Sequence, residues 1–89
     1  MEKENYKEGT LVTASNSMTS ITGLLRETRW SGELSARNYP IVRLVCSACP
    51  SDGTYRTSDS IFAVRDLHEA TERERERWFR TILAHVEKS

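Results

Sequence analysis

The chain has 89 residues, 37% of them hydrophobic and 8% aromatic. That supports one domain with a modest core and leaves no room for a second. The 13 basic and 13 acidic side chains bring the formal net charge to zero, which argues against a general polyanion binder, whose affinity needs a basic surplus.

No apolar run approaches the roughly 20 residues of a membrane-spanning helix. The opening MEKENYKEGT has no apolar stretch of the signal-peptide kind, and a mere pair of cysteines suits a reducing compartment. The expectation is a soluble, cytoplasmic protein with no cofactor and no membrane partner.

Residues 1–8 are a charged lead-in carrying Glu2, Lys3, Glu4, Lys7 and Glu8, a terminal run expected to order poorly or only on docking. From Gly9 the texture becomes that of a β-region, expected over 9–67. TLVTAS is short, β-branched and apolar. SITGLLRETRW continues with Ile21 and Leu25 on one face, Leu24 on the other and Gly23 between them; a glycine inside a strand marks a bend or bulge. Ser31–Gly32 is turn chemistry, and ELSARNY can form a further strand.

PIVRLVCSA alternates. Val42, Leu44, Cys46 and Ala48 fall on one face, and Ile41, Arg43, Val45 and Ser47 on the other. Pro40 is tolerated at the strand start, and Pro50, Asp52 and Gly53 make a strong turn signal after it. SIFAVRDL reads as the last strand. Short connections favour antiparallel meander pairing over parallel crossovers. The expected architecture is α+β: about five strands in a small, strongly bent antiparallel sheet or barrel, with one carboxy-terminal helix packed on it.

That helix is expected over 71–88. Thr71 and Glu74 fit a capping box, and Trp78, Phe79, Ile82, Leu83 and Val86 recur at helical spacing as an apolar stripe that should lie on the sheet. Glu76 and Arg80 pair at i,i+4, Lys88 suits the helix dipole, and the ERERER run of 72–77 reads as a solvated face.

Chemistry is thin along the chain. Cys46 and Cys49 form a CxxC, but the PSDGTYRTSD that follows cannot open the helix whose amino terminus activates a redox thiol. Zinc needs four ligands, and only His68 and His85 could join the pair, at spacings unlike a finger. The thiols therefore read as structural: Cys46 as a small packed hydrophobe, Cys49 at the strand end. A zinc module through Cys46 and Cys49 is the third-ranked reading. The hydroxyl cluster of Ser15, Ser17, Thr19 and Ser20 faces no evident base, and the scattered glycines form no phosphate loop. Nothing points to an enzyme.

One asymmetry stands out. From Gly9 to Arg65 every basic residue is arginine: Arg26, Arg29, Arg37, Arg43, Arg56 and Arg65, opposed by Glu27, Glu33, Asp52 and Asp59. Arg29 beside Trp30, and Arg37 near Tyr39, give the arginine-plus-aromatic pairing that clamps a nucleotide or RNA base. Arg26, Arg29, Trp30, Arg37, Tyr39 and Arg43 are thus the candidate binding residues. Half-exposed aromatics of this kind also anchor protein interfaces.

EGTLVTASNS, ITGLLRE with its mid-strand glycine, and the final SIFAVRDL together resemble the SH3-like and Sm-like small barrels over about Gly9–Leu67. The resemblance implies a bent barrel, and in the Sm-like group ring assembly and RNA binding. This chain departs from the Sm type in placing its helix after the strands. LHEATERERERWF is similar to the helix starts that close small accessory proteins of phages and mobile elements, which implies a binder of host machinery. Two functions follow: a non-catalytic module that binds a partner protein or its own copy, and a nucleic-acid or nucleotide binder using the arginine and aromatic residues.

Overall fold

Antiparallel strands wrap around a small apolar core, and a helix closes the chain. The computed structural model describes residues 6–30, 39–49 and 52–88. The ELSARNY strand, Arg37 and most of the charged lead-in fall largely or wholly outside those residues. The elements are β1 (Leu11–Ser15), β2 (Ser20–Trp30), β3 (Pro40–Cys49), β4 (Thr54–Arg56), β5 (Ser60–Ala63), β6 (Asp66–Glu69) and α1 (Glu72–Lys88). Among the described residues no helix is long and apolar enough to cross a membrane.

The strands form one six-stranded sheet in the order β4-β3-β2-β1-β6, with β5 also pairing β3. Every pairing is antiparallel, as short connections dictate. At the β1–β2 turn Asn16 Oδ1 accepts the Met18 and Thr19 N–H groups at 2.8 and 2.9 Å, an Asx turn that fixes the hairpin register.

SIFAVRDL is two strands, not one. β5 pairs β3, β6 pairs β1, and the break lies at Val64–Arg65. Val64 N–H donates to the Pro40 carbonyl (2.9 Å) and Arg65 N–H to the Ser15 carbonyl (3.1 Å). Successive amides thus serve β3 and β1, the strands on opposite sides of β2, which no single straight strand can do. No ladder joins β4 or β5 to β6, so the sheet curls without closing into a barrel.

The inner face supplies the core: Val12, Ala14, Leu25, Val42, Leu44 and Val64, with Tyr6, Ile21, Phe62 and Leu67 packed against it. Gly23 shapes this face. A Cβ there would lie 2.9 Å from Ser47 Cα, so β2 and β3 approach closely only because the side chain is missing. Leu24 pairs with Val45 and Thr22 with Ala48, leaving Cys46 and Ser47 together opposite Gly23. This is a β-bulge with Cys46 at φ 53°, the left-handed position that glycine usually fills. The simple alternation of β3 therefore fails beyond Leu44: Ser47, Ala48 and Cys49 are all buried, while Cys46 is only half-buried. A second register shift near Arg26 restores the inward turn of Thr28 opposite Val42.

Thr13 and Thr22 sit on the other face, paired across the strands, and are nonetheless buried. Their hydroxyl oxygens lie 2.9 Å apart. Helix α1 covers this side, packing on β2, β3 and β4. Its capping box forms as the sequence implies: Thr71 N–H donates to Glu74 Oε1 (2.8 Å) and Glu74 N–H to Thr71 Oγ1 (3.2 Å).

Candidate interaction surface

The arginines are dispersed among carboxylates. Arg26 Nε lies 3.8 Å from Asp59 Oδ2, and the Nη2 atoms of Arg29 and Arg43 lie 3.6 and 3.8 Å from the same oxygen of Glu27. Solvated pairs of this kind contribute about 0–1 kcal/mol each, but they divide the basic patch and weaken its field. Tyr39 is half-buried just before β3. The backbone of Trp30 pairs with Pro40, its side chain lies outside the described residues, and so does Arg37. The structure thus brings Arg29 and Arg43 together on one carboxylate and sets Arg26 on another.

The two thiols have separate surroundings. Cys49 is buried at the end of β3, its sulfur 3.2 Å from Thr19 Oγ1. Cys46 does not pack inward as alternation implies, because the bulge turns it. Its carbonyl accepts the Trp78 indole N–H at 2.8 Å, and its thiol reaches Tyr55. Burial pushes the Tyr55 phenol above its ordinary value, helped by that thiol. The imidazoles are engaged elsewhere: His85 Nε2–H donates to the Gly53 carbonyl (2.9 Å), with its ring 5.5 Å from that of Tyr55, and His68 binds Glu74. Among the described residues no group of three or more His, Cys, Asp or Glu side chains is placed to hold a metal.

Since left-handed backbone costs a non-glycine residue about 1–2 kcal/mol, Cys46→Gly is expected to melt within a few degrees of the parent or above it. Cys46→Val, β-branched at the same φ, should lose about 1–2 kcal/mol. Thermal melts of both variants check this, and equal losses would remove the strain at Cys46.

A cleft of about 520 Å³ opens between the β1–β2 turn and the first turns of α1, lined by Thr13, Ser17, Thr19, Thr22, Glu74 and Arg77 among others. Most of its hydroxyls are already engaged: Thr13 with Thr22 and Glu74, Thr19 with the Cys49 sulfur and Ser20 with Ser15. Burial pushes the Glu74 carboxyl up, but the Thr71 N–H, the His68 ring and the Thr13 hydroxyl outweigh it and hold the group below its ordinary 4.5. Here the carboxylate stands between imidazole and hydroxyl. A nucleophilic triad needs the imidazole in the middle, taking the hydroxyl proton, so this chain of bonds fastens the helix to β6 and β1 and activates nothing.

A depressed folded value means that Glu74 stabilises the fold above pH 4.5 and loses that contribution as pH falls through its lower folded value. Glu74→Gln should therefore lower the melting temperature at neutral pH, with the gap to the parent narrowing in acid. A gap that stays constant from pH 7 to pH 3 would contradict this.

Among the described residues, three of the five exposed large apolar side chains lie on α1. Trp78 and Ile82 are half-buried toward the sheet, but Phe79, Leu83 and Val86 are 55%, 45% and 61% exposed. The stripe expected to rest on the sheet therefore does so only along one edge. Phe79, Leu83 and Val86 recur at i, i+4 and i+7 and so share one flank, bordered by the exposed Glu76, Arg80 and Glu87. Elsewhere, Met18 at the hairpin tip is 90% exposed and Ile61 63%.

The chain matches no family model, no curated protein and no solved structure.

The signal for this face was present in the spacing. From Trp78 to Leu83 the five apolar positions span an arc of about 140° at 3.6 residues per turn, wider than the roughly 100° that packing on one surface occupies. A strongly twisted sheet of short strands covers only part of such an arc.

Proposed function

We propose that this chain is a non-catalytic interaction module that docks through the Phe79–Leu83–Val86 face of α1. One observation carries the reading: three large apolar side chains stand in a row, 45% to 61% exposed, on a helix that is already held in place. The capping box fixes its start, His68 ties Glu74 to β6, and the Trp78 indole pins its body to the bulge of β3. A single exposed leucine is unremarkable. A row of them on an anchored helix is pre-organised surface, and covering it returns about 25 cal/mol per Å² without the cost of folding the helix at the moment of binding.

A nucleic-acid partner has less support, because Arg26, Arg29 and Arg43 each face a carboxylate at 3.6 to 3.8 Å. That alternative predicts binding that weakens steeply with salt. We also read the bent sheet as an open relative of the SH3-like and Sm-like barrels. The step at Val64–Arg65 supports this, since it carries one segment from β3 to β1.

The test uses the whole chain in an extract of its native cell. The parent should migrate well above its 10.2 kDa mass, and the Phe79→Glu, Leu83→Glu double variant should return to that mass with unchanged circular dichroism. A parent that already migrates as a monomer in the extract defeats the proposal.

A further inference from the structure

Resting on that reading, we infer that the occupant of the α1 face is a second copy of this chain, paired antiparallel through a two-fold axis at Leu83. Charge complementarity along one margin of the helix selects that occupant. Arg80 and Glu87 are both exposed, and among the described residues neither has an ion pair, the expected Glu76–Arg80 pair included. They are seven residues apart, almost two full turns at about 3.6 residues per turn, and so lie on the same margin of the Phe79–Leu83–Val86 row.

When two helices pair antiparallel, each margin meets its own counterpart. A two-fold at Leu83 sets Leu83 against Leu83 of the second copy and Phe79 beside its Val86. It brings Arg80 of each copy alongside Glu87 of the other, twice by symmetry. A parallel pair would instead set this margin against the opposite one, the side of Trp78 and Ile82 that faces the sheet, and leave Arg80 and Glu87 without these partners. Antiparallel axes also oppose the helix dipoles. The seam points roughly a quarter-turn away from the side that Trp78 and Ile82 turn to the sheet, so the strands do not obstruct an approaching helix.

Sedimentation of the purified chain from micromolar to millimolar concentration tests this. The parent should approach twice the 10.2 kDa chain mass. Arg80→Glu alone and Glu87→Arg alone should each weaken the dimer about tenfold or more by turning two attractions into repulsions. The combined reversal should restore it to within a few-fold of the parent. Both substitutions are at exposed positions, and circular dichroism of all three variants checks the fold. A purified parent that stays monomeric overturns the pairing. So does a dimer indifferent to both single reversals, or one that the combined reversal fails to rescue. If the purified chain is monomeric yet the parent still migrates as a large species in extract, and Phe79→Glu, Leu83→Glu abolishes it, self-pairing fails while the interaction module stands with a different protein on that face.

Discussion

Gly23→Ala is expected to cost on the order of 3 kcal/mol, the upper part of the range for forcing a methyl group into a filled interior. The added Cβ would sit 2.9 Å from Ser47 Cα, 3.0 Å from Ser47 Cβ and 3.3 Å from Leu44 Cβ. The first of these is backbone, and Leu44 is fully buried in the core, so neither can swing aside as a surface side chain would. Relief requires β2 and β3 to separate where the β3 bulge holds them close. A small domain has only about 5–15 kcal/mol of stability, and each kcal/mol moves the melting point of a chain this size by about 4–8 °C. A fall of more than 10 °C is therefore expected in a thermal melt. A melting point within about 2 °C of the parent would show that the strands separate freely there, and would undo the account of the bulge.

Two adjacent helix residues should behave in opposite ways. Trp78→Ala removes a half-buried ring and its indole N–H bond to the Cys46 carbonyl at 2.8 Å. Full burial of such a ring is worth about 3–5 kcal/mol; scaled for partial exposure, the expected loss is about 2–3 kcal/mol. Phe79→Ala, at 55% exposure, should stay within about 0.5 kcal/mol, the range for surface positions. The same holds for Leu83→Ala in the isolated chain. Urea titrations of dilute protein measure both. Equal losses at 78 and 79 would mean that the helix is rotated from the orientation described, and the exposed face would vanish with it.

Those neighbours also mark how far the sequence could be read. Local chemistry was legible: Thr71 and Glu74 announce a helix start that forms through both capping bonds, and Gly23 announces a disturbance that appears as a register shift. Which strand bears the extra residue was not legible. A period-two count through Val42, Leu44, Cys46 and Ala48 assumes an unbroken ladder, and the bulge at Cys46 turns the pattern by one position. SIFAVRDL hid its division for a related reason, because nothing in Val64 or Arg65 encodes that their amides serve Pro40 and Ser15, carbonyls far away in the chain. The apolar stripe was legible as a stripe, but its burial depends on how much sheet lies beneath it. For the arginine and aromatic residues, the sequence could not show that Glu27 would sit between Arg29 and Arg43.

The link at Val64–Arg65 has a consequence for how the molecule comes apart. Two neighbouring amides bolt two strands of the curled ribbon to a single short tie, so neither can peel away while the tie is intact. Loosening should therefore be all-or-none. The amide protons of Val64 and Arg65 should exchange with deuterium at nearly the same slow rate, as a latch that opens only when the entire ribbon does.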